Sequence, residues 1–442
     1  MQSRRQQLAG VLFAFITSLP SHAVPASTPE ERIATLERQV AELQTLLRSQ
    51  QNQIELTSER LELDEKAIAS NTASVNDAHL TQLGTKLSYG GFIKVDSMVT
   101  RYSDGKPANT LIDDFLVPSL IPTSAGDARH YTSTSMHAKT SRLFFKTQTG
   151  TDRGRIDTHF EMDFAVGDQG DERVTNSFAN RLRHAYVKWQ YAPDGAILAG
   201  QTWSTFFDVR ALPVNLDFVG PAGTVFNRQS MVRWSTGPWM FAIENPRTRL
   251  NGVGQDDFSE GFPDLVTRYN GRSNNLDWSV AMILRELTYE DAERRDAQMG
   301  YGVALTGKYQ SGRHDIRFGG SFGDALGRYL ALNGFNDGYV DQQGNIGKID
   351  QMGGFVAYRH QFSDAWSGGL TLSLAKADNP SPSAYGALQT LAKQYETGHL
   401  NLIYSPTERL SFGGELVLGK KELENSDDGL MTRMLMSIKY GI

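Results

Sequence analysis

Few stretches of this chain could carry bond-making chemistry, and each has the wrong surroundings for it. Gly319-Gly320-Ser321-Phe322-Gly323 matches the G-x-S-x-G pattern of serine hydrolases. That pattern needs a strained strand-to-helix elbow to expose its serine, whereas here it lies inside an alternating, strand-like segment. His314-Asp315 and the scattered histidines have no metal-ligand partner at useful spacing. Asp427-Asp428 could take calcium, but a solvated loop tip explains the pair as well. There is no cysteine, which excludes disulfides, thiolate metal centres and a thiol nucleophile. No catalytic residue, metal or cofactor is expected.

What the residues do support is non-covalent ion chemistry. In the stretch 155–164, Arg155, Asp157, His159, Glu161 and Asp163 alternate with Ile156, Thr158, Phe160, Met162 and Phe164. A strand sends successive side chains to opposite faces, so one face is ionic and the other greasy. A soluble sandwich would bury the greasy face. A membrane barrel would turn it to lipid and leave the ionic face lining water.

The elements that must position these charges decide between the two. From residue 87 to the end, segments of alternating residues recur sixteen times, at about 88–102, 137–149, 154–165, 181–191, 196–203, 227–236, 238–245, 264–271, 275–287, 298–310, 314–323, 349–362, 366–376, 394–404, 409–420 and 430–441. Short connectors such as Gly150-Thr151-Asp152-Arg153 and Ser311-Gly312-Arg313 alternate with long ones such as 103–136, 204–226 and 324–348. Short turns at one end and long loops at the other are the asymmetry of an outer-membrane barrel. The greasy parity is lipid-like (Leu276, Trp278, Val280, Met282, Leu284), and aromatics such as Tyr89, Trp189, Tyr269, Tyr404 and Tyr440 sit near segment ends. The expected fold is therefore all-β: a transmembrane antiparallel β-barrel of about 16 strands, preceded by a periplasmic helix.

Composition agrees with that reading. Net charge is -6 and the pI about 5.9, which makes nucleic acid an unsuitable partner. Mean hydropathy is -0.40, and no apolar run reaches the roughly 18 residues of a membrane helix. Residues 1–23 read as a signal peptide, with Arg4 and Arg5, an apolar stretch from Leu8 to Leu19, and Ser21-His22-Ala23. Residues 24–70 read as a coiled-coil helix opened by the capping box Thr28-Pro29-Glu30-Glu31. Ile33, Val40, Leu47, Ile54, Leu61, Ile68 and Val75 follow seven apart. Residues 71–86 read as a linker, and 87–442 as the barrel.

On the inward parity thirteen lysines and arginines stand against nine acids, a net cationic lumen in a net acidic chain. Arg142, Lys146, Lys188, Arg233, Arg268 and Arg285 are the candidate anion-facing groups. The acids of 154–165 are expected to face them across the pore and set up a transverse field. Loop 204–226 carries Phe206, Phe207, Phe218 and Phe226 and is too apolar for an exposed loop. It is expected to fold into the pore, with Trp203, Asp208 and Arg210 at the constriction; packing at a subunit interface is the alternative.

The chain also resembles the DcaP-like porins. The likeness is carried by Tyr89-Gly90-Gly91-Phe92-Ile93-Lys94-Val95-Asp96, Arg101-Tyr102-Ser103-Asp104-Gly105, Gly200-Gln201-Thr202-Trp203-Ser204-Thr205-Phe206 and Pro263-Asp264-Leu265-Val266-Thr267-Arg268-Tyr269. Related phosphate-type porins share parts of these motifs. The resemblance implies a homotrimer of sixteen-stranded barrels, a periplasmic coiled coil, and diffusion of small anions such as dicarboxylates. It carries Arg268 and the loop after Trp203 into the site. One departure is the terminus Lys439-Tyr440-Gly441-Ile442, which lacks the terminal aromatic of outer-membrane strands. The expected function is a passive, non-enzymatic porin in the bacterial outer membrane, contacting lipid and lipopolysaccharide. A general-diffusion porin and a barrel hydrolase are the alternatives.

Overall fold

The computed structural model describes residues 74–442 except 81–83, 125–128, 167–169, 172–174, 176, 254–260, 292–293 and 381–389. The segments read as a signal peptide (1–23) and as a coiled-coil helix (24–70) lie outside the described residues. Within the stretch read as a linker, Ser74–Leu80 is a strand that pairs antiparallel with residues 85–91.

Alternation dictates strands, and the strands close on themselves. In chain order they are β1 (Thr85–Tyr102), β2 in two pieces (Tyr131–His137 and Arg142–Thr151), β3 (Gly154–Asp163) and β4 (Arg181–Ala192). Next come β5 (Gly195–Trp203), β6 (Arg228–Thr236), β7 (Trp239–Glu244) and β8 (Asp264–Ser273). β9 (Leu276–Glu290), β10 (Arg295–Ser311), β11 (His314–Asp324) and β12 (Asp350–Gln361) follow. β13 (Trp366–Asp378), β14 (Ala392–Tyr404), β15 (Leu410–Leu423) and β16 (Asp428–Gly441) complete the wall. Each pairs with its sequence neighbour, and β16 returns to β1 with Phe92 opposite Gly441 and Tyr102 opposite Met431. The result is a closed antiparallel barrel of sixteen strands, which leaves no edge unpaired.

β16 shows which face is outward. Leu430, Met434, Met436, Ile438 and Tyr440 are 48–63% exposed, while Met431, Arg433, Leu435 and Ser437 between them are at most 5% exposed. Exposed methionine, leucine and isoleucine beside a buried arginine invert a soluble sheet and fit a lipid-facing one. Aromatic pairs mark the short-turn rim, with Trp239 against Tyr269 at 4.9 Å and Trp366 against Tyr404 at 4.7 Å.

Two details depart from the alternation. β2 begins at Tyr131, ahead of the expected 137, because Thr132 and Thr134 put polar groups on its outer face and conceal the pattern. Two connections at the long-loop end, 291–294 and 424–427, are short because their flanking strands of 14 to 17 residues overrun the membrane. About 9–11 residues suffice to cross it.

Candidate functional site

Loop 204–227 does not cover the barrel; it lies inside. It leaves β5 with Thr205 N–H donating to the buried Glu244 carboxylate at 2.6 Å. Phe206 and Phe207 then pack on inward-facing Ala242, Val266, Ala281 and Ala304, under Leu326, Tyr329 and Leu330 of loop 325–349. From there it crosses to the opposite wall. Arg317 of β11 donates to the Leu212 carbonyl, Asn401 of β14 to Val214 at 3.0 Å, and Lys94 of β1 to Leu216 at 2.7 Å. The carboxylate of Glu415 on β15 accepts from Leu216 N–H at 2.5 Å and Asp217 N–H at 3.2 Å. A loop whose backbone amides are taken up by wall side chains is positioned, as buried polar groups require. The interface alternative for this loop is set aside by these contacts.

The return limb docks just as closely. Ala222 and Gly223 N–H donate to Thr397 and Ser373 hydroxyls at 3.1 and 2.6 Å. A Cβ on Gly223 would lie 2.1 Å from the Leu374 carbonyl oxygen and 2.3 Å from that of Gly354. Gly223→Ala therefore cannot seat the loop, at a cost of about 1–3 kcal/mol. A displaced loop widens the lumen, so single-channel conductance is expected to rise and become noisier. Unchanged conductance would show that this limb does not set the bore.

The charges gather on β2 to β6. Arg142 Nε lies 3.4 Å from Glu161, Arg183 Nε donates to Glu161 at 2.6 Å, and Arg181 binds Asp163 bidentately at 2.9 and 2.8 Å. Arg183 also reaches Asp163 at 2.7 Å. His159 and His184 stack at 5.3 Å, each presenting Nε2 to Glu161 at 3.6 and 3.8 Å. Arg142 and Lys439 flank the Phe92 ring at 5.1 and 4.4 Å, and Lys146 lies 4.8 Å from Phe144. Arg228 sits 4.6 Å over Trp203, whose indole packs on Phe207 and Phe226 of the loop at 5.0 and 4.8 Å. Lys188 and Arg233 stand at one level, both opposite Leu198 on the strand between them.

The expected transverse field is corrected here. The acids of β3 stand beside the cations, with Asp163 opposite both Arg142 and Arg181, and Asp157 opposite Lys188. Consecutive strands are neighbours in an up-and-down barrel, so charges on consecutive segments meet along the wall and not across the bore.

The other expected site residues act on the loops. Arg268 is buried and donates to the Phe207 carbonyl at 2.8 Å. Asp208 caps a short 3-10 turn and holds Arg210 through bonds of 2.9 and 2.7 Å, and Arg210 reaches Asn270 at 2.7 Å. Burial alone would raise the Asp208 pKa, but the Arg210 hydrogen bonds and the Arg268 charge hold it well below the usual carboxylate range. Arg285 is fully buried between Asp337 at 2.7 Å and Asp264 at 3.6 Å, and fixes loop 325–349. The structure thus brings Arg142, Lys146, Lys188 and Arg233 onto one stretch of wall. Trp203, Asp208, Arg210 and Arg268 gather at the loop root, and Arg285 stands apart.

Arg181, Arg183 and Arg228 were not on the inward parity. A β-bulge explains Arg183: Glu161 faces His184 while Met162 faces Leu182, so the extra residue swings inward. Arg183 is buried and Leu182 is exposed to lipid. A bulge leaves no mark in alternation until a partner strand is known.

Burial sorts the charges by sign. Among the described residues, twelve Asp and Glu side chains are buried against five Lys and Arg. Lys146, Lys188, Arg228 and Arg233 keep partial exposure, so the water of the lumen meets more positive charge than the formal count implies.

A closed sixteen-stranded barrel with a greasy outer face and a charged, loop-narrowed lumen is an outer-membrane channel, and not an enzyme. The family model of the DcaP outer membrane protein matches residues 21–442, and the chain belongs to that family. Among solved structures it is similar to the outer membrane channel DcaP of Acinetobacter baumannii, with TM-score 0.70 and 20% identity over 83% of this chain and 99% of that one. It is also similar to an anion-selective porin from Comamonas acidovorans, with TM-score 0.50 and 13% identity over 80% of this chain and 99% of that one. A comparison with curated proteins found no sequence match.

Proposed function

We propose that this channel passes small anions, dicarboxylates or similar solutes, by passive diffusion along the wall formed by β2 to β6. The observation that carries the reading is the sorting of charge by burial: acids are taken up by loop amides and arginine forks, while Lys146, Lys188, Arg228 and Arg233 keep contact with water. A low-dielectric wall focuses that excess and raises the local anion concentration. Arg142, Lys146, Lys188, Arg228 and Arg233 are the solute-facing groups. Trp203, Asp208, Arg210, Arg268 and Arg285 hold the loops that narrow the bore. The Comamonas porin, described as anion-selective, has the same fold.

The assembly we propose is a homotrimer in outer-membrane lipid and lipopolysaccharide. Support comes from the outer wall of β2 to β6, where Thr132, Thr134, Ala199 and Ser230 are exposed and Thr147 bonds Thr158 at 2.7 Å. Small and hydroxyl side chains there are interspersed among larger apolar ones such as Phe145, Phe160 and Val187. The heptads of 24–70 suit a periplasmic coiled coil joining the copies.

The test is solute competition for ion current in a planar bilayer. Succinate is expected to interrupt chloride current at concentrations where an uncharged solute of equal size does not. Equal interruption by both would leave a general-diffusion porin whose charges are merely paired.

A further inference from the structure

We propose a binding site for a divalent transition-metal ion on the outer wall at the short-turn rim, formed by His314 and His360. The two are 46 positions apart in sequence, which hid the pairing, yet β11 and β12 place them directly opposite in register. Their ring centroids are 4.9 Å apart. Imidazole nitrogen binds zinc at about 2.0–2.1 Å, so two donors on one ion lie within about 4.2 Å of each other. Each centroid lies behind its donor nitrogen, so rings 4.9 Å apart are compatible with a shared ion.

The second observation is how the rings are held. Tyr358 Oη lies 2.8 Å from His314 Nδ1 and 3.3 Å from His360 Nδ1. A phenolic oxygen has two acceptor positions, so it can take an N–H from both rings. In that tautomer both Nε2 lone pairs are bare, and among the described residues neither Nε2 has a hydrogen-bond partner. Fixing the far nitrogen of each imidazole is the usual outer-shell arrangement around a metal-binding histidine. His314 and Tyr358 are exposed and His360 is half-buried, so an ion can reach the pair from solvent. Local charge does not oppose it: Arg313 donates to the Phe362 carbonyl at 3.0 Å, and Asp364 in the facing turn balances it formally. The described residues hold no group of three or more protein ligands for a metal, so water completes the shell here. Two imidazoles without carboxylate favour copper(II) over zinc.

The test is calorimetric titration of the full chain, without a histidine tag, in phosphate-free detergent buffer, with zinc and copper(II) in separate runs. One ion per chain is expected, copper the tighter. His314→Ala and His360→Ala should each remove that binding step, and Tyr358→Phe should weaken it roughly tenfold or more. His159→Ala, in the lumen, should leave it intact. Unaltered single-channel conductance of the His314, His360 and Tyr358 variants confirms that they fold, since these three residues face away from the bore. Absence of uptake by the unsubstituted chain overturns the proposal, as does uptake that survives both histidine variants. Uptake that requires added phospholipid and persists in both variants assigns the ion to lipid phosphate and overturns it too.

Discussion

Replacing Lys146, Lys188 and Arg233 together by glutamate is expected to change the sign of the channel's reversal potential in a salt gradient. None of the three carries an ion pair among the described contacts, so their removal strands no buried acid. All stand on the solute-facing wall, and Lys188 and Arg233 share one level opposite Leu198. Exchanging three positive for three negative charges along that wall reverses the local excess that the burial pattern creates. Charges in a water-filled lumen are tolerated, unlike those facing lipid at mid-depth, which cost about 2–4 kcal/mol each. The barrel should therefore insert normally. The matched control is Arg153, Arg272 and Arg409 changed to glutamate, all exposed at the turn end. The control should keep the sign. If both triple variants shift equally, selectivity belongs to the overall charge and not to this wall.

The second large effect concerns stability. Arg285 is fully buried; it donates to Asp337 at 2.7 Å, to the Ala325 carbonyl at 2.6 Å, and to the Arg247 carbonyl. Asp264 also accepts from the Tyr329 hydroxyl at 2.7 Å and lies 3.6 Å from Arg328. Arg285→Met leaves two buried carboxylates short of their main partner, a loss of about 3–5 kcal/mol. The expected result is a markedly lower melting temperature of the folded barrel, with segments 245–253 and 325–349 released from the wall and conductance raised. Adding Asp264→Asn and Asp337→Asn should recover much of the stability, because removing a whole buried ion cluster is often neutral. Failure of the triple variant to recover would show that Arg285 acts by packing and not by charge.

How much of this was legible in the sequence depended on the range of the interaction. Strand existence and facing are local, since alternation alone turns Met434, Met436 and Ile438 outward and Arg433 inward. Each of the sixteen segments coincides with a strand, because a barrel has no other place for such a pattern. The apolar loop after Trp203 was legible as well, since four phenylalanines there have no use in solvent. Registration was not legible. Arg183 faces the lumen only because the bulge opposite Glu161 and Met162 inserts a residue. The acids of β3 were expected across the bore from the cations, whereas neighbouring strands put Asp163 beside Arg142 and Arg181. His360 opposite His314 is the same kind of fact. The division of lumen charges into those that hold loops and those that meet water required the loops in place. Arg268 and Lys188 are alike by parity, yet Arg268 is spent on the Phe207 carbonyl and Lys188 is not.

The central claim is that the water-exposed charge of the lumen is positive enough to select anions. The most direct measurement is the zero-current potential of the purified channel in a planar bilayer across a potassium chloride gradient. A potential displaced toward the chloride equilibrium value, with closures arriving in threes, is the predicted result. A potential near zero, or displaced toward potassium, would contradict the account and leave a general porin whose arginines serve only to hold its loops.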